Sequence, residues 1–433
     1  MKKVLIITYY WPPSGGAGVQ RWLKFVKYLR DFGWEPVVYT AENPEVPYID
    51  ESLLEDIPNN IEVIKVPIFE PYRIYNFITR KKKQDGFHHG FLKEDSAQPK
   101  FTERISIWLR GNLFIPDARM FWIWPSYKFL RKYLLENKID VIISTGPPHS
   151  AHLIALKLRK KFNIPWIADF RDPWTGIYYF DKLKISYLSK KIHNMLESSC
   201  LNKADLIITV GETMKKDFKK LTSKPIEVIT NGFDHSDYAN LQRKNPEKFN
   251  IMYTGMFLPD QNPSELWKVL NELVNSNKKF AEELKLTFIG KVDNIIIKDI
   301  ELNNLRNHLE IRDSVPHNQL ADLQQEAALL LLCINRIENA SYILTGKFFE
   351  YLASGKRILA LCPEESDVAS IIKETKSGIA VGFSQSDLLK SSIELLFDQY
   401  LNKGTIEQND AIWKYSREEL TKRLSILLNK VIN

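Results

Sequence analysis

The stretch VLIITYYWPPSGGAGVQRWLKFVKYLRDFGWEPVVYT, residues 4–40, decides the fold. It opens on a short apolar run of β-formers, which PPSGGAG breaks. Residues 19–32 then place Val19, Trp22, Leu23, Phe25, Val26 and Leu29 at helical spacing, and Gly33 ends the helix. PVVYT is the next strand. This is a βαβ unit, whose right-handed crossover makes its strands parallel.

The alternation continues outward from there. Strands are expected at 140–144, 165–169, 205–210 and 226–229, with helices at 149–161, 187–201 and 212–221 between them. A polar stretch, SDYANLQRKNPEK, follows Asn231 and reads as a linker. A second α/β array has strands expected at 249–254, 284–289, 309–312, 329–334, 357–361 and 378–381. A last helix, about 407–432, carries Trp413 and Tyr415. The expected domains are 1–240, 245–405 and a helix over 406–433 that packs back on the first domain. One insert, about 69–127, breaks the alternation. It holds the basic cluster Arg80-Lys-Lys-Lys83 and the aromatic run RISIWLRGNLFIPDARMFWIWP.

Composition narrows the class. At 433 residues, 44% hydrophobic and 26% charged, the chain has the make-up of a globular protein of two domains. No apolar run of about 18 residues occurs, so no membrane-spanning helix is expected. The opening MKKVLIITYYWPPSGG lacks a small-residue cleavage site and reads as a buried strand rather than a signal peptide. Cys200, Cys333 and Cys362 are widely spaced and read as core thiols of a reducing compartment. A net charge of +7 suits an anionic ligand or surface and is too weak to argue for nucleic acid.

Four motifs carry chemistry. Gly15-Gly16-Ala17-Gly18 lets backbone approach a ligand at a helix N-terminus, where amides and dipole favour phosphate; it also suits a plain tight turn. Thr345-Gly346-Lys347 opens a helix between two strands. A lysine in a first helical turn opposes the dipole, which suggests an anion between the two. Glu350, one turn on, shares its face and can accept hydrogen bonds from hydroxyls; a surface Lys–Glu pair is the plainer reading. Asn231-Gly232-Phe-Asp234 is a turn signal. Asp169-Phe-Arg171-Asp172 ends a strand, where open α/β sheets bind ligands, and Arg171 can clamp either aspartate. His149 and His152 follow Gly-Pro-Pro at another strand end, three apart, with no zinc spacing; His149 is a candidate polar or acid/base group. His88-His89 reads as solvent-exposed.

In this order, the opening VLIITYYWPPSGGAGVQRW, ADLIITVGETM, VITNGFD, YTGMF and TGKFFEYLASGKRILAL with SGIAV resemble the family-4 glycosyltransferases. The resemblance covers nearly the whole chain. WPPSGGAG and DFRDPW are similar to bacterial surface-polysaccharide transferases. It implies the GT-B architecture, two Rossmann-like domains facing each other across a cleft. It implies retaining transfer from a nucleotide-diphosphate sugar to a glycan or lipid-linked acceptor, with no metal or other cofactor. The thiols place the protein in the cytoplasm, and the basic insert allows a peripheral contact on the inner face of the membrane. Lys347 would contact the diphosphate and Glu350 the ribose. Gly15 and Gly16 would approach the diphosphate across the cleft. His317 and Asn318 would hold the base. Asn231 and Gly232 match a motif near the hinge, and Gly255, Thr345 and Gly346 complete the donor set. His149, Asp169, Arg171 and Asp172 are the catalytic candidates.

The chain also departs from the family pattern. Of two acidic residues eight apart, Glu350 matches the second, but the first is Tyr342, with Glu338 out of register. The loop TGMFLPDQNPSELW has no basic residue. Two other functions therefore compete: a sugar-nucleotide 2-epimerase of the same fold, and a non-catalytic scaffold partner. For the insert, the aromatic residues Trp108, Phe114, Phe121, Trp122 and Trp124 read as core rather than as a membrane interface, and Arg80–Lys83 as either a solvated loop or a contact for anionic lipid.

Overall fold

The computed structural model describes residues 1–433 except 47, 70–107, 110, 179, 181–182, 239–240, 243 and 403–408; at Ala17, His317 and Asn318 it describes the backbone alone. The chain divides into two compact units, Met1–Thr230 with Leu420–Asn433, and Asn231–Glu419.

The first unit holds seven parallel strands: β1 (Lys2–Ile7), β2 (Trp34–Ala41), β3 (Glu62–Val66), β4 (Val141–Gly146), β5 (Trp166–Phe170), β6 (Leu206–Thr209) and β7 (Ile226–Val228). Their order is β3-β2-β1-β4-β5-β6-β7. The strands read as unbroken apolar runs because helices bury both faces of the sheet. Alternation along β1 sorts the two layers. Leu5 and Ile7 join Tyr39, Trp122 and Ile142, while Val4 and Ile6 join Trp22, Val26 and Ile143. β3, the edge strand EVIKV, was not expected. Its residues are half-buried or exposed, so it lacks the apolar signature of its neighbours.

The chain's last helix, Arg417–Ile432, belongs to this unit from Leu420 onward. Leu420, Leu424 and Leu428 recur every fourth residue and are buried beside Val4 and Trp22. Arg423 Nη2 donates to Val228 O at 3.0 Å. The single helix expected from about 407 is corrected: Asp410–Tyr415 form a 3-10 turn, and Ser416 is extended before the helix starts. Ile412 and Tyr415 are packed in the second unit's core, so the chain must leave that core before it can coil again.

The second unit holds β8 (Phe249–Thr254), β9 (Leu284–Ile289), β10 (Leu309–Arg312), β11 (Leu329–Cys333), β12 (Arg357–Leu361) and β13 (Gly378–Val381). All are parallel, in the order β10-β9-β8-β11-β12-β13. Here Leu329, Leu331 and Cys333 face one layer and Leu330, Leu332 and Ile334 the other. The unit starts at Asn231, ahead of the polar stretch, and runs to Glu419. This differs from the expected boundaries because Phe233 is already buried in its core.

The three cysteines are free and buried. Of the insert's aromatic residues, Trp122 is core and stacks on Tyr39 at 5.7 Å. Phe114 is half-buried, and Trp108, Phe121 and Trp124 are exposed, which corrects the expectation that the whole run is core. Arg80–Lys83 and His88-His89 lie outside the described residues. Among the described residues, no helix is long and apolar enough to cross a membrane.

Candidate functional site

In each sheet the strand order reverses once, between β1 and β4 and between β8 and β11. Loops leaving the C-terminal ends of such strands border the crevice where open α/β sheets take ligands.

In the second unit the helix Gly346–Ser354 presents its start to this place. Phe348, Phe349, Tyr351 and Leu352 are buried, which fixes the helix's rotation and leaves Lys347 and Glu350 on the remaining face. Tyr351 pins the helix to β8 by accepting the Thr254 N–H at 3.0 Å. Asn231 Nδ2 donates to Leu344 O at 3.3 Å, holding the chain that leads into it. Gly232 is buried in the same turn, and Asp234 accepts from Ser236 N at 3.1 Å. Thr345 is the N-cap residue, and its Oγ1 is buried with no hydrogen-bond partner.

Lys347 Nζ lies 3.7 Å from the centroid of the Tyr253 ring, a cation–π contact. Gly255 has φ +93, and a Cβ there would stand 3.4 Å from the lysine's Cε, so both backbone and space favour glycine. Burial pulls the Lys347 ammonium down to about 7, against the opposing pull of Cys333 and Glu350. Glu350 is half-buried. Its charge also reaches Tyr238, whose hydroxyl burial and then Glu350 push well up. The second unit thus gathers Asn231, Gly255, Thr345, Gly346, Lys347 and Glu350. A cation at a helix N-terminus attracts an anion, and a carboxylate one turn away accepts from hydroxyls. His317 and Asn318 open the helix His317–Gln324, and their side chains lie outside the description.

Gly15 and Gly16 belong to the first unit. Gly15 N donates to Tyr48 O at 3.0 Å, and Gly16 is the N-cap residue of the helix Ala17–Leu29. Arg171 packs its guanidinium directly against Gly18, where a Cβ would fall 1.8 Å from Nη1. Its Nη2 donates to Pro147 O, and its Nε is buried without a partner. Burial raises the neighbouring Asp172 carboxyl, against Arg171's charge.

Asp169 corrects the sequence reading, because its partner is Arg21 and not Arg171. Arg21 reaches it through Nη2 at 2.8 Å and Nε at 3.2 Å. Trp22 Nε1 and Thr145 Oγ1 each donate to the same carboxylate at 2.8 Å. Burial would raise this carboxyl, but Arg21's charge and the hydrogen bonds outweigh it and hold it below its usual range. A saturated, wholly buried carboxylate is a brace rather than a proton acceptor. Arg21 also donates to Thr230 O at 2.8 Å and Ile229 O at 2.9 Å. Sequence reasoning passed over Arg21; the available signal was a charged residue inside the buried stripe of a helix.

His149 sits just ahead of the helix Ser150–Phe162 and stacks on Trp174 at 4.6 Å, with ring planes 3° apart. It is 7% exposed. Burial, with His152, Arg171 and His193 adding repulsion, holds it neutral far below its ordinary range. His149, Arg171 and Asp172 therefore meet at the ends of β4 and β5, with Asp169 beneath them. Glu197 and His193 were also missed. Glu197 accepts from Trp174 N and Thr175 N, each at 3.3 Å, and His193 accepts from Trp174 Nε1 at 3.1 Å.

Residues 84–237 match the family model described as Glycosyltransferase Family 4. Among curated proteins none matches the chain in sequence. Solved structures match it in fold. A mutant of S. aureus TarM in complex with Fondaparinux, alpha-GlcNAc-glycerol and UDP superposes with TM-score 0.60 at 13% identity, covering 99% of this chain and 100% of that one. WaaG, a glycosyltransferase involved in lipopolysaccharide biosynthesis, gives 0.54 at 12%, covering 98% and 99%. A putative UDP-N-acetylglucosamine 2-epimerase from Listeria monocytogenes gives 0.52 at 10%, covering 98% and 95%. At such identities these likenesses speak for the fold. The chain thus carries, over residues 84–237, a stretch similar to glycosyltransferase family 4, on a fold of two Rossmann-like α/β units of the GT-B type.

Proposed function

We propose that the protein transfers a sugar from a nucleotide-diphosphate sugar to a glycan or lipid-linked acceptor in bacterial cell-surface polysaccharide synthesis, with retention at the anomeric carbon. The observation that carries the reading is the Lys347 ammonium, held on Tyr253 beside Gly255 where the second sheet's order reverses. Lys347 and the first amides of its helix take the diphosphate, with Thr345, Gly346 and Asn231 shaping the cradle. Glu350 takes the ribose, and His317 with Asn318 the base. To the first unit we assign the acceptor, with Arg171, the loop Gly15–Gly18, His149 and Asp172 as its candidate residues.

As the sugar–phosphate bond breaks, its electron pair stays on the phosphate oxygen, where Lys347 stabilises the new charge. The acceptor hydroxyl attacks on the leaving-group face and gives its proton to that oxygen. The reaction so written uses no resident metal, and we place the protein in the cytoplasm with a peripheral contact at the inner membrane face.

The test is a thermal-shift screen with UDP, GDP, ADP and their sugars, followed by product analysis. Binding to the native state raises the melting point. Released nucleoside diphosphate with a glycosylated acceptor is the expected product. An epimerised donor would replace the reading with the epimerase, and no binding at all with the scaffold partner.

A pH prediction follows from the lysine. With Lys347 held near 7, the free enzyme is charged at pH 6 and mostly neutral at pH 8. A bound diphosphate restores the charge, so binding at pH 8 should take up a proton. Affinity should fall about tenfold per unit above pH 7 until the bound-state value is reached. Calorimetry of the best nucleoside diphosphate in two buffers of different ionisation enthalpy checks this; buffer-independent heats at pH 8 would contradict it.

A further inference from the structure

Two imidazole nitrogens in the first unit are buried with no hydrogen-bond partner, His149 Nδ1 and His152 Nε2. Both lie close to one residue. A Cβ on Gly146, at the end of β4, would stand 3.1 Å from the first and 2.7 Å from the second. The nitrogens are therefore within the span of a single bridging oxygen.

The proton positions behind them follow from the donors available. Trp166 Nε1 can only donate, and it donates to Ser144 Oγ at 2.9 Å. Ser144 Oγ lies 2.8 Å from His152 Nδ1. Ser144 is wholly buried, and its single proton needs an acceptor. The one arrangement that satisfies both indole and hydroxyl has Ser144 donating to Nδ1. His152 then carries its proton on Nε2, the nitrogen beside Gly146. A water or hydroxyl there accepts from His152 and passes a proton toward His149 Nδ1, which becomes an acceptor.

We infer that a hydrogen-bond chain from Trp166 through Ser144, His152 and one bridging oxygen fixes His149 as the neutral tautomer protonated on Nε2. His152, Ser144 and Trp166 are thus positioning residues, and His149 serves as a hydrogen-bond donor to a substrate oxygen rather than as a base. The ring is clamped for this duty by its stack on Trp174. Its Nδ1 is the buried side, so the exposure it keeps lies on the other edge. The titratable and charged groups around the pair are Arg171, His193 and Asp169, with Asp117 capping the helix through Ser150 N at 2.9 Å. Burial holds His152 down to about 3, with Asp169 pulling the other way, so neither ring competes for a second proton near neutrality.

The use of that donor by a substrate rests on the glycosyl-transfer reading, but the tautomer can be measured without any substrate. The full chain has eight histidines, few enough for long-range proton–nitrogen spectra with 15N-labelled histidine, assigned through His149→Gln and His152→Gln. The expected result is the Nε2–H cross-peak pattern for both rings, unchanged from pH 5.5 to 8. Ser144→Ala should release His152 into a mixture of tautomers and move His149 with it, while Ser144→Thr restores the parent pattern. A proton on Nδ1 of His149 in the parent, or titration of His149 within that range, overturns the inference. The parent spectrum decides alone if Ser144→Ala does not fold. Inactive protein with the expected spectrum would instead count against the transfer reading only.

Discussion

Lys347→Ala is expected to lower turnover by roughly two to three orders of magnitude, with the fold intact. A preorganised group aimed at charge that develops in the transition state is worth roughly 3–4 kcal/mol, and each 1.36 kcal/mol is about a factor of ten. The loop after β8 supplies no second cation in the sequence TGMFLPDQNPSELW. Stability should move little. The variant gives up a cation–π contact of about 0.5–2 kcal/mol but no longer has to desolvate an ammonium. Lys347→Arg should rescue only in part, since a planar guanidinium does not reproduce the compact point charge of an ammonium. Release of nucleoside diphosphate, followed beside a melting curve, checks both halves. Undiminished turnover in the alanine variant would take the diphosphate role away from this residue.

Arg21→Met should cost about 3–5 kcal/mol of stability, the usual result of stripping one partner from a buried ion pair. Asp169 would keep only Trp22 and Thr145 as donors, and the carbonyls of Ile229 and Thr230 would lose theirs. The pH dependence should reverse in sign. In the parent the carboxyl sits below its ordinary value, so its contribution is present at neutral pH and fades as pH falls through that lowered value. In the variant burial acts without its counter-charge and the carboxyl rises. The penalty should then be largest at pH 7 and shrink toward pH 5 as the group takes up a proton. Adding Asp169→Asn to the variant should recover part of the loss. Urea unfolding at the two pH values measures this; equal penalties at both would mean Asp169 stays charged by some other route.

The sheets were legible because doubly covered strands are written as apolar runs between breaks, as in LLLLC and RILAL. β3 escaped because an edge strand with half-exposed residues lacks that signature. The last helix was overrun because Ile412 and Tyr415, three apart, continue a helical spacing while their side chains serve the second unit's core. In the site, residues adjacent in sequence were found readily: Thr345, Gly346, Lys347 and Glu350 lie on one helix. Contacts between distant segments were not. Nothing local in DFRDPW tells that Asp169 is taken by a residue 148 positions earlier, or that Tyr253 supplies the seat for Lys347.

The placement of Leu420, Leu424 and Leu428 has a consequence for biosynthesis. They complete an apolar layer that also holds Val4 and Trp22, which are translated long before them. The opening sheet thus keeps one face unfinished while the whole intervening unit is being translated. That interval, when bare apolar surface waits for its cover, is where nascent chains are most exposed to aggregation and to chaperone capture.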